Sequence, residues 1–409
     1  MTMEILPILA ALRRNSVGAV LVGLQLALTL AIVCNALFVI DERMQRMRRP
    51  SGLDEANTLT LDAYWVGEPT DLKGRQLADL AALRALPGVV AVAASNSYPL
   101  SGSGSSFGAN TLPNQPYSPL TPRTTSYVVG DQAPEAWNLK LVAGRWFRPE
   151  EAVDMSPREA RLAPVVVVTR ALASALFPGG QALGRQLYID GPRATTIVGV
   201  VDRLQTPWAG NAFGEPFVEN AALFPGMTLL NYSGYVIRTA PGQRDNVLRA
   251  VEPALRGVDP GRLIQNLKPF AETRVDRYSG YRASNIVLTT VSALLLAVAA
   301  LGIVGLTSYW VGQRRRHIGI RRALGARRID IMAYFHTENL LIAGFGAAVG
   351  AALAIAVNLW MVSSLELTRM SPFYVLVAAV VVVVLSQAAV FVPALRAAAI
   401  PPALATRGS

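Results

Sequence analysis

Four long runs without a charged residue divide the chain. They cover residues 15–40, 286–311, 339–365 and 372–395. Each run exceeds the roughly 20 apolar residues that a helix needs to cross a hydrocarbon core about 30 Å thick. The sequence therefore predicts four membrane helices. Residues 50–282 contain no apolar run of that length, so we expect one large domain outside the membrane between the first and second helices.

The boundaries of the predicted segments follow from where charges and turn residues return. The first apolar run leads directly into DERMQRMRR without a small-residue cleavage site, which favours an uncleaved anchor over a signal peptide. We assign an N-terminal amphipathic segment to residues 1–16, the first membrane helix and its stalk to residues 17–43, and the aqueous domain to residues 44–283. The second membrane helix follows at residues 284–312, and a loop occupies residues 313–335. The third helix is assigned to residues 336–365, the fourth to residues 372–396, and a tail to residues 397–409.

The aqueous domain has two ends with the same order of predicted elements. Strand, helix and strand patterns occupy residues 58–65, 77–86 and 89–94, and they recur at 235–239, 246–255 and 263–267. Two such units predict an α+β domain with a split ferredoxin-like core, formed by residues 56–97 and 232–270. A β-rich insertion occupies residues 98–231. It opens with SGSGSSFGANTLPNQPYSPLTP, which we expect to be a flexible, exposed loop.

Composition and charge narrow the possible partners. The chain has 409 residues, of which 52% are hydrophobic and 16% are charged, and its net charge is +11. Only Lys73, Lys140 and Lys268 are lysines, and many arginines lie beside apolar runs. Such a distribution is typical of membrane topology and contact with anionic lipid. Because no base-stacking or basic-aromatic module occurs, we expect membrane lipid and no nucleic acid as a partner.

Residues that could carry catalysis are scarce. The only histidines, His317 and His336, lie outside the aqueous domain, which excludes a Ser-His-Asp or His-ligated metal site there. Cys34 is the single cysteine, so no disulfide within the chain can form. No G-x-x-x-x-G-K-[ST] phosphate loop is present. We expect no enzyme activity, no catalytic or metal site and no cofactor in this chain.

The stretch QRRRHIGIRRALGARRIDIMAYFHTENL, residues 313–340, is strongly basic. It holds seven arginines and one aspartate between two apolar runs. Four of its apolar residues fall at helical spacing on one side, namely Ile320, Leu324, Ile331 and Phe335. This pattern predicts short amphipathic helices along the membrane surface with a break at Gly325. Its composition alone is also explained by the preference of cytoplasmic loops for arginine.

The order of residues in this stretch is more specific than its composition. RRRHIGIRRALGARRIDI, followed by Glu338, resembles the signature of the FtsX-like permease family, R-x-E-I-G-x-x-R-A-x-G-A, between the second and third membrane helices. The matching positions are Arg315, Ile318, Gly319, Arg322, Ala323, Gly325 and Ala326. His317 replaces the usual glutamate, so the role of that carboxylate is not carried over. Modulation by pH and a simple solvated histidine both remain open for His317.

In that family the loop is the coupling element that sits on a separate ATPase subunit. The resemblance implies the same partner here, with ATP and Mg bound on the ATPase. To the matched positions we add Leu324, Ile331 and Glu338 as candidate coupling residues.

A second resemblance covers the insertion. GDQAPEAWNLKLVAGRWF, PVVVVTRALASALFPGGQALGRQLYIDG and ATTIVGVV are similar to the periplasmic domain of MacB-type permeases. The matching positions are 143–145, 147, 176–178, 184 and 198–201. Together the resemblances imply a permease subunit of a MacB/FtsX-type ABC transporter in the bacterial inner membrane, with both termini cytoplasmic and the large domain periplasmic.

The remaining expectations concern assembly. Gly346 and Gly350 form a G-x-x-x-G pair that can serve a subunit contact or packing within one chain. The family implies a homo- or heterodimer of permease chains, a separate ATPase and, for efflux, a periplasmic adaptor; lipoprotein release is the nearest alternative in the same class. The alternative from a different functional class is a membrane sensor or scaffold that regulates a cell-envelope partner without export. The four apolar runs lack ionisable residues, which argues against a secondary transporter.

Overall fold

The computed structural model describes residues 16–67, 71–116, 118–156, 162–189, 192–365 and 369–401. The chain forms two compact units. The membrane unit is made of Met1–Gln45 with Arg282–Ser409, and the aqueous unit is made of Arg46–Tyr281. Residues 1–15 of the predicted amphipathic segment and residues 402–409 of the predicted tail lie outside the described part.

The first helix, α1 (Ser16–Arg48), begins within the first apolar run and continues beyond it. Half of its most apolar window is buried, compared with 17–28% for the three other long helices of the same unit. The buried side chains, including Leu26, Leu30 and Cys34, recur every four residues and belong to one hydrophobic cluster. Helix α1 is therefore the central helix of the membrane unit.

The aqueous unit begins with the predicted strand–helix–strand order. It contains β1 (Thr58–Tyr64), α2 (Leu72–Arg84) and β2 (Val89–Ser95). The matching half follows much later in the chain. Between them lie β3 (Ser105–Asn110), β4 (Arg123–Val129), α3 (Ala133–Ala136), β5 (Leu141–Gly144), β6 (Val165–Thr169), α4 (Arg170–Leu176), β7 (Gln186–Ile189), β8 (Ala194–Val201), β9 (Ala221–Pro225) and two short 3-10 turns, Pro149–Glu151 and Glu215–Phe217.

The two distant halves assemble into one small sheet. The second half consists of β10 (Tyr232–Thr239), α5 (Arg244–Val258) and β11 (Leu263–Pro269). The strands are antiparallel in the order β11-β1-β10-β2. Apolar residues of α2 and α5 cover one face of this sheet, where Leu83 and Val251 are fully buried. This is the order of a ferredoxin-like core, and the predicted split core is confirmed.

The insertion forms a closed ring of strands. The pairings run β4-β3-β7-β8-β6-β9, and a parallel pairing between β9 and β4 closes the ring. Strand β5 adds to the outside of β8. A single pairing, Ser95 with Val129, joins the ring to the ferredoxin-like core. Closure satisfies the edge strands, which would otherwise expose unpaired backbone groups.

One prediction for the insertion is wrong. The stretch SGSGSSFGANTLPNQPYSPLTP is not wholly a flexible loop, because Ser105–Asn110 forms β3 and pairs with β4 and β7. Its glycines and serines hide the alternation that marks a strand. The neighbouring strands supply the hydrogen bonds that define it.

The chain then enters the remaining helices. A short helix, α6 (Phe270–Arg277), precedes α7 (Ser279–Gln313), α8 (Arg315–Ala323), α9 (Arg328–Leu365) and α10 (Pro372–Ala398). Helices α1, α7, α9 and α10 are long and apolar enough to cross a membrane. The predicted fold class is confirmed: four long apolar helices, with a large α+β domain between the first and the second.

A second prediction needs correction at the start of α9. The sequence pattern predicts short amphipathic helices within the loop 313–335 and a separate membrane helix over residues 336–365. Instead, one helix continues from Arg328 to Leu365. No proline or glycine interrupts residues 328–343, so nothing in the local sequence ends the helix there.

Candidate coupling surface

A tight turn at Gly325 separates α8 from α9. Gly325 has φ +97°, which favours glycine. Its backbone N–H donates to the carbonyl of Arg322 at 3.1 Å, and the N–H of Ala326 donates to that of Arg321 at 3.0 Å. These two bonds form a Schellman motif that ends α8. Because two carbonyls in the last turn of α8 accept these bonds, the hydrogen bonds fix the conformation of the Gly325 turn.

A buried ion pair fixes the beginning of α8 to α9. The Nη1 of Arg314 donates to both carboxylate oxygens of Glu338, at 3.0 and 2.9 Å, and to the hydroxyl of Tyr334 at 3.3 Å. The Glu338 side chain is 1% exposed and that of Arg314 is 18% exposed. The guanidinium also lies 5.7 Å from the centre of the Trp310 ring. A carboxylate buried among apolar helices needs such a partner.

A second arginine fixes α8 to the end of α10. The Nη1 of Arg322 donates to the backbone carbonyls of Ala398 and Ile400, at 3.0 and 2.8 Å. Carbonyls at the end of a helix lack partners within that helix and carry a partial negative charge, so a guanidinium there satisfies and neutralises them. Helix α8 is thus tied to α9 through Arg314 and to α10 through Arg322.

The structure divides the predicted coupling residues into two groups. Exposed or partly exposed are Arg315, Arg322, Ala323, Leu324, Gly325 and Ala326. Buried within this chain are Ile318, Gly319, Ile331 and Glu338. The buried group packs α8 onto the other helices and so positions the exposed group. Contact of either group with an ATPase stays a prediction.

The exposed side of α8 and of the turn combines arginine with large apolar side chains. Leu324 is 83% exposed, Ile329 is 69% exposed and Ile320 is 45% exposed. We call α8, the Gly325 turn and the first turn of α9, residues 315–331, the coupling surface. Its exposed leucine and isoleucine side chains are surrounded by arginines, and such a combination of apolar and basic residues is suited to binding another protein.

Sequence reasoning missed the roles of two arginines. It placed Arg322 in the family motif without its carbonyl partners, and it did not select Arg314. One signal was available for Arg314: Glu338 is the acidic residue closest to an apolar run in a stretch rich in arginine, so a buried pair was to be expected.

Gly346 and Gly350 lie against α1 of the same chain. A Cβ at Gly346 would lie 2.9 Å from the carbonyl oxygen of Gly23, and one at Gly350 would lie 2.7 Å from that of Ala27. Both glycines therefore allow α9 to approach the backbone of α1 closely. Packing within one chain already occupies this face.

Metal-binding residues do not cluster in the part of the chain that the structure describes. No group of three or more His, Cys, Asp or Glu side chains there is arranged to hold a metal ion.

Comparison with known proteins identifies the two units. A family model for the MacB-like periplasmic core domain matches residues 25–254, more than half of the chain. A model for the FtsX-like permease C-terminal domain matches residues 289–402, which include the coupling surface.

Several curated relatives are similar to parts of the chain. The macrolide export ATP-binding/permease protein MacB of Chromobacterium violaceum is 30% identical over 201 residues, covering 47% of this chain and 30% of that protein. The protein of the same name from Azoarcus sp. is 26% identical over 238 residues, covering 57% and 35%. The chain thus spans about a third of the length of these relatives.

Among solved structures, the periplasmic region of MacB from Actinobacillus actinomycetemcomitans aligns with a TM-score of 0.34 and 16% identity, covering 54% of this chain and 94% of that one. The match of the periplasmic core model over more than half of the sequence decides the family, and the permease model accounts for the helices that follow. The chain belongs to the family of the MacB-like periplasmic core domain and is a multi-pass permease of the MacB/FtsX type.

Proposed function

We propose that this chain is the transmembrane subunit of an ABC transporter and that it transmits motion from a separate ATPase to its periplasmic domain. In this mechanism the ATPase binds the coupling surface on the cytoplasmic side of the bacterial inner membrane. Movement of α8 passes to α9 and α10, and no substrate crosses the bilayer through the chain. Both termini are then cytoplasmic.

The observation that carries this proposal is the attachment of α8. Its exposed side offers Leu324 and Ile320 to a partner, while the Arg314–Glu338 pair and the Arg322 contacts tie it to two long helices. If only flexible loops connected α8 to the rest of the chain, a displacement of α8 would not move the other helices. Because hydrogen bonds and an ion pair connect α8 to α9 and α10, a displacement of α8 moves these helices as well. The names of the relatives, which join an ATP-binding part to a permease part, support an ATPase as the partner.

The assembly we propose contains two permease chains and two ATPases. Large apolar side chains on α7, such as Ile286, Leu294 and Leu301, are 61–70% exposed in the single chain. They are available to lipid or to the helices of a second permease chain. The two permease chains form a homodimer or a heterodimer. We further propose efflux with a periplasmic adaptor as the process served, with lipoprotein release as the alternative within the class.

The substitution Leu324→Asp tests the coupling surface. It places a charge at the most exposed apolar anchor, so we expect the stimulation of the partner ATPase by the permease to fall about tenfold or more, as for a residue central to an interface. Membrane insertion should be unchanged. Leu120→Asp is the matched control, because Leu120 is 91% exposed in the aqueous unit. Normal stimulation in Leu324→Asp would contradict this assignment of the surface.

Purification of the chain from its native membrane separates the two functional classes. Stoichiometric copurification with an ABC ATPase supports the transporter. A complex with only a kinase or a cell-wall hydrolase would support the sensor or scaffold instead.

A further inference from the structure

The aqueous unit contains a cleft between the ferredoxin-like core and the insertion. Its volume is about 410 Å³, within the range of roughly 300–1,000 Å³ that is typical of small-molecule sites. Helix α2 forms one side, and the segments after β5 and β9 form the other. Its apolar lining includes Leu77, Leu80, Trp146, Phe147 and Met227.

The apolar lining is partly open to solvent. Leu77 is 48% exposed although it faces the cleft, and Trp146 and Phe147 lie in edge contact with their ring centres 6.5 Å apart. Met227 has an adaptable side chain that can fit ligands of different shape. Binding of an apolar group would remove these side chains from water, which favours occupancy.

Most charges at the rim of the cleft are already paired. The Nζ of Lys73 lies 2.6 Å from Oδ2 of Asp154, and the Nη2 of Arg84 lies 2.8 Å from Oδ1 of Asp131. Each pair brings one positive and one negative charge, so these two pairs together contribute no net charge to the rim.

Arg148 differs from these pairs. It lines the cleft and is exposed. Its backbone N–H donates to Oε2 of Glu151 at 2.8 Å and its positive charge helps to lower the pKa of Glu151, but its guanidinium forms no hydrogen bond or ion pair with the residues that the structure describes. The nearby Glu151 accepts two bonds from Arg145, at 2.8 and 2.6 Å, and these bonds above all lower the pKa of Glu151 to about 2. Glu151 is therefore ionised but already bound by Arg145. One positive charge remains available at the rim of an apolar cleft.

We propose that this cleft binds a small anionic amphiphile, whose apolar body lies on the wall formed by Leu77 and Trp146 and whose anionic group bonds with Arg148. An unpaired guanidinium selects for a carboxylate, sulfonate or phosphate, because bonds between charged groups are stronger than neutral ones. A cationic ligand would find no unpaired carboxylate at Asp131 or Asp154. Binding of the amphiphile in this cleft does not require a partner ATPase.

Gly130 provides a way to block the cleft. It lies in the lining, has no positive φ, and a Cβ added there would meet no atom within 4 Å. The substitution Gly130→Phe can therefore fill the cleft without a clash with the backbone. Gly180 also has free space around an added Cβ and lies outside the cleft, so Gly180→Phe is the matched control.

The test uses the full chain in lipid nanodiscs and a photoreactive fatty acid that carries a diazirine near the end of its chain. After irradiation, mass spectrometry maps the modified peptides, which separates binding in the cleft from partition into lipid. We expect labelling around Leu77, Trp146 and Met227. It should fall about tenfold in Gly130→Phe and in Arg148→Glu, in line with the loss of a charge-assisted bond, and it should remain in Arg148→Lys and Gly180→Phe.

Two controls make the result decisive. Arg249→Glu reverses an exposed charge on α5 away from the cleft and should not change the labelling. The methyl ester of the same probe should label the cleft about tenfold less than the acid.

Labelling confined to the membrane helices, or cleft labelling that is unchanged in Gly130→Phe, would overturn the site. Equal labelling by acid and ester would overturn its preference for anions. If Gly130→Phe fails to fold, the exposed substitution Arg148→Glu still decides the question.

Discussion

The ion pair between Glu338 and Arg314 shows that the contribution of a pair to stability depends on whether it is buried. Glu338 is almost completely buried, whereas Lys73 and Asp154 form a pair in which the lysine is 55% exposed. An exposed pair contributes only about 0–1 kcal/mol, because water solvates both partners when they separate. Removal of one partner from a buried pair leaves an uncompensated charge in an apolar environment.

We therefore expect Glu338→Ala to lower the free energy of unfolding by about 3 kcal/mol, at the lower end of the range for buried pairs because Arg314 keeps some exposure. Thermal unfolding of the purified chain in detergent measures the loss. Asp330→Asn removes an exposed acid near the start of the same helix and should have little effect. Equal stability of the two variants would show that the Glu338 pair is not buried.

The lowered pKa of Glu151 predicts how the stability of the folded chain depends on pH. Its bonds from Arg145 lower the pKa from 4.5 in the unfolded chain to about 2 in the folded chain. The stabilisation is therefore complete above pH 4.5 and is lost as the pH falls towards 2. In Glu151→Gln the midpoint of thermal unfolding should change less over this interval than in the unsubstituted chain, whereas the exposed neighbour Glu150→Gln should follow the unsubstituted chain. Parallel curves for all three would contradict the pairing.

At the scale of elements, the contact between α1 and α9 depends on the absence of side chains. A Cβ at Gly350 would lie 2.7 Å from the carbonyl oxygen of Ala27 and 2.9 Å from its Cα, and both atoms belong to the backbone of α1. The backbone cannot move aside as a side chain can. The two helices must therefore separate if a larger residue occupies this position.

We predict that Gly350→Ala destabilises the membrane unit by about 1–3 kcal/mol through overpacking. Gly344→Ala is the control on the same helix, because a Cβ there meets no atom within 4 Å. Gly344→Ala should be neutral or stabilising by up to about 1 kcal/mol, since alanine favours helix more than glycine. Unfolding in detergent compares them, and equal stability would argue against close packing of α9 on α1.

At the scale of the whole molecule, the proposed orientation requires opposite exposure of the two kinds of surface. Cys34 is the single cysteine and is buried, so the chain without it gives a clean background for labelling. In a Cys34→Ser background, Gly180→Cys should react with a membrane-impermeant maleimide in cells whose outer membrane is permeable. Leu324→Cys should react only after the inner membrane is disrupted. The reverse pattern would contradict the orientation.

Local sequence patterns were sufficient for the elements and for much of the fold. The four apolar runs predicted four long helices, because hydrophobic length is a property of contiguous residues. The ferredoxin-like core was predictable for a similar reason, since each half carries its own strand–helix–strand order. Strand β3 was missed because its definition comes from pairing with β4 and β7 rather than from its own residues.

The candidate site was only partly predictable. The motif selected Arg322 and Glu338, but the carbonyl partners of Arg322 lie more than 70 residues away, at Ala398 and Ile400. The helical spacing of Ile320 and Leu324 with Ile331 and Phe335 suggested one apolar face. In the structure, Ile331 and Phe335 are buried while Ile320 and Leu324 are exposed, because the Gly325 turn changes the direction of the chain between them.

The sequence by itself determined where the chain can cross a membrane, which segments form the split core, and that residues 313–340 carry a basic motif similar to that of FtsX-like permeases. These features depend on neighbouring residues and on their spacing. Only the tertiary structure decided that β9 closes a ring with β4, that α1 occupies the Gly346 and Gly350 face, and that Arg148 remains unpaired at an apolar cleft. Each of these depends on which distant segments meet, and the local pattern does not encode that choice.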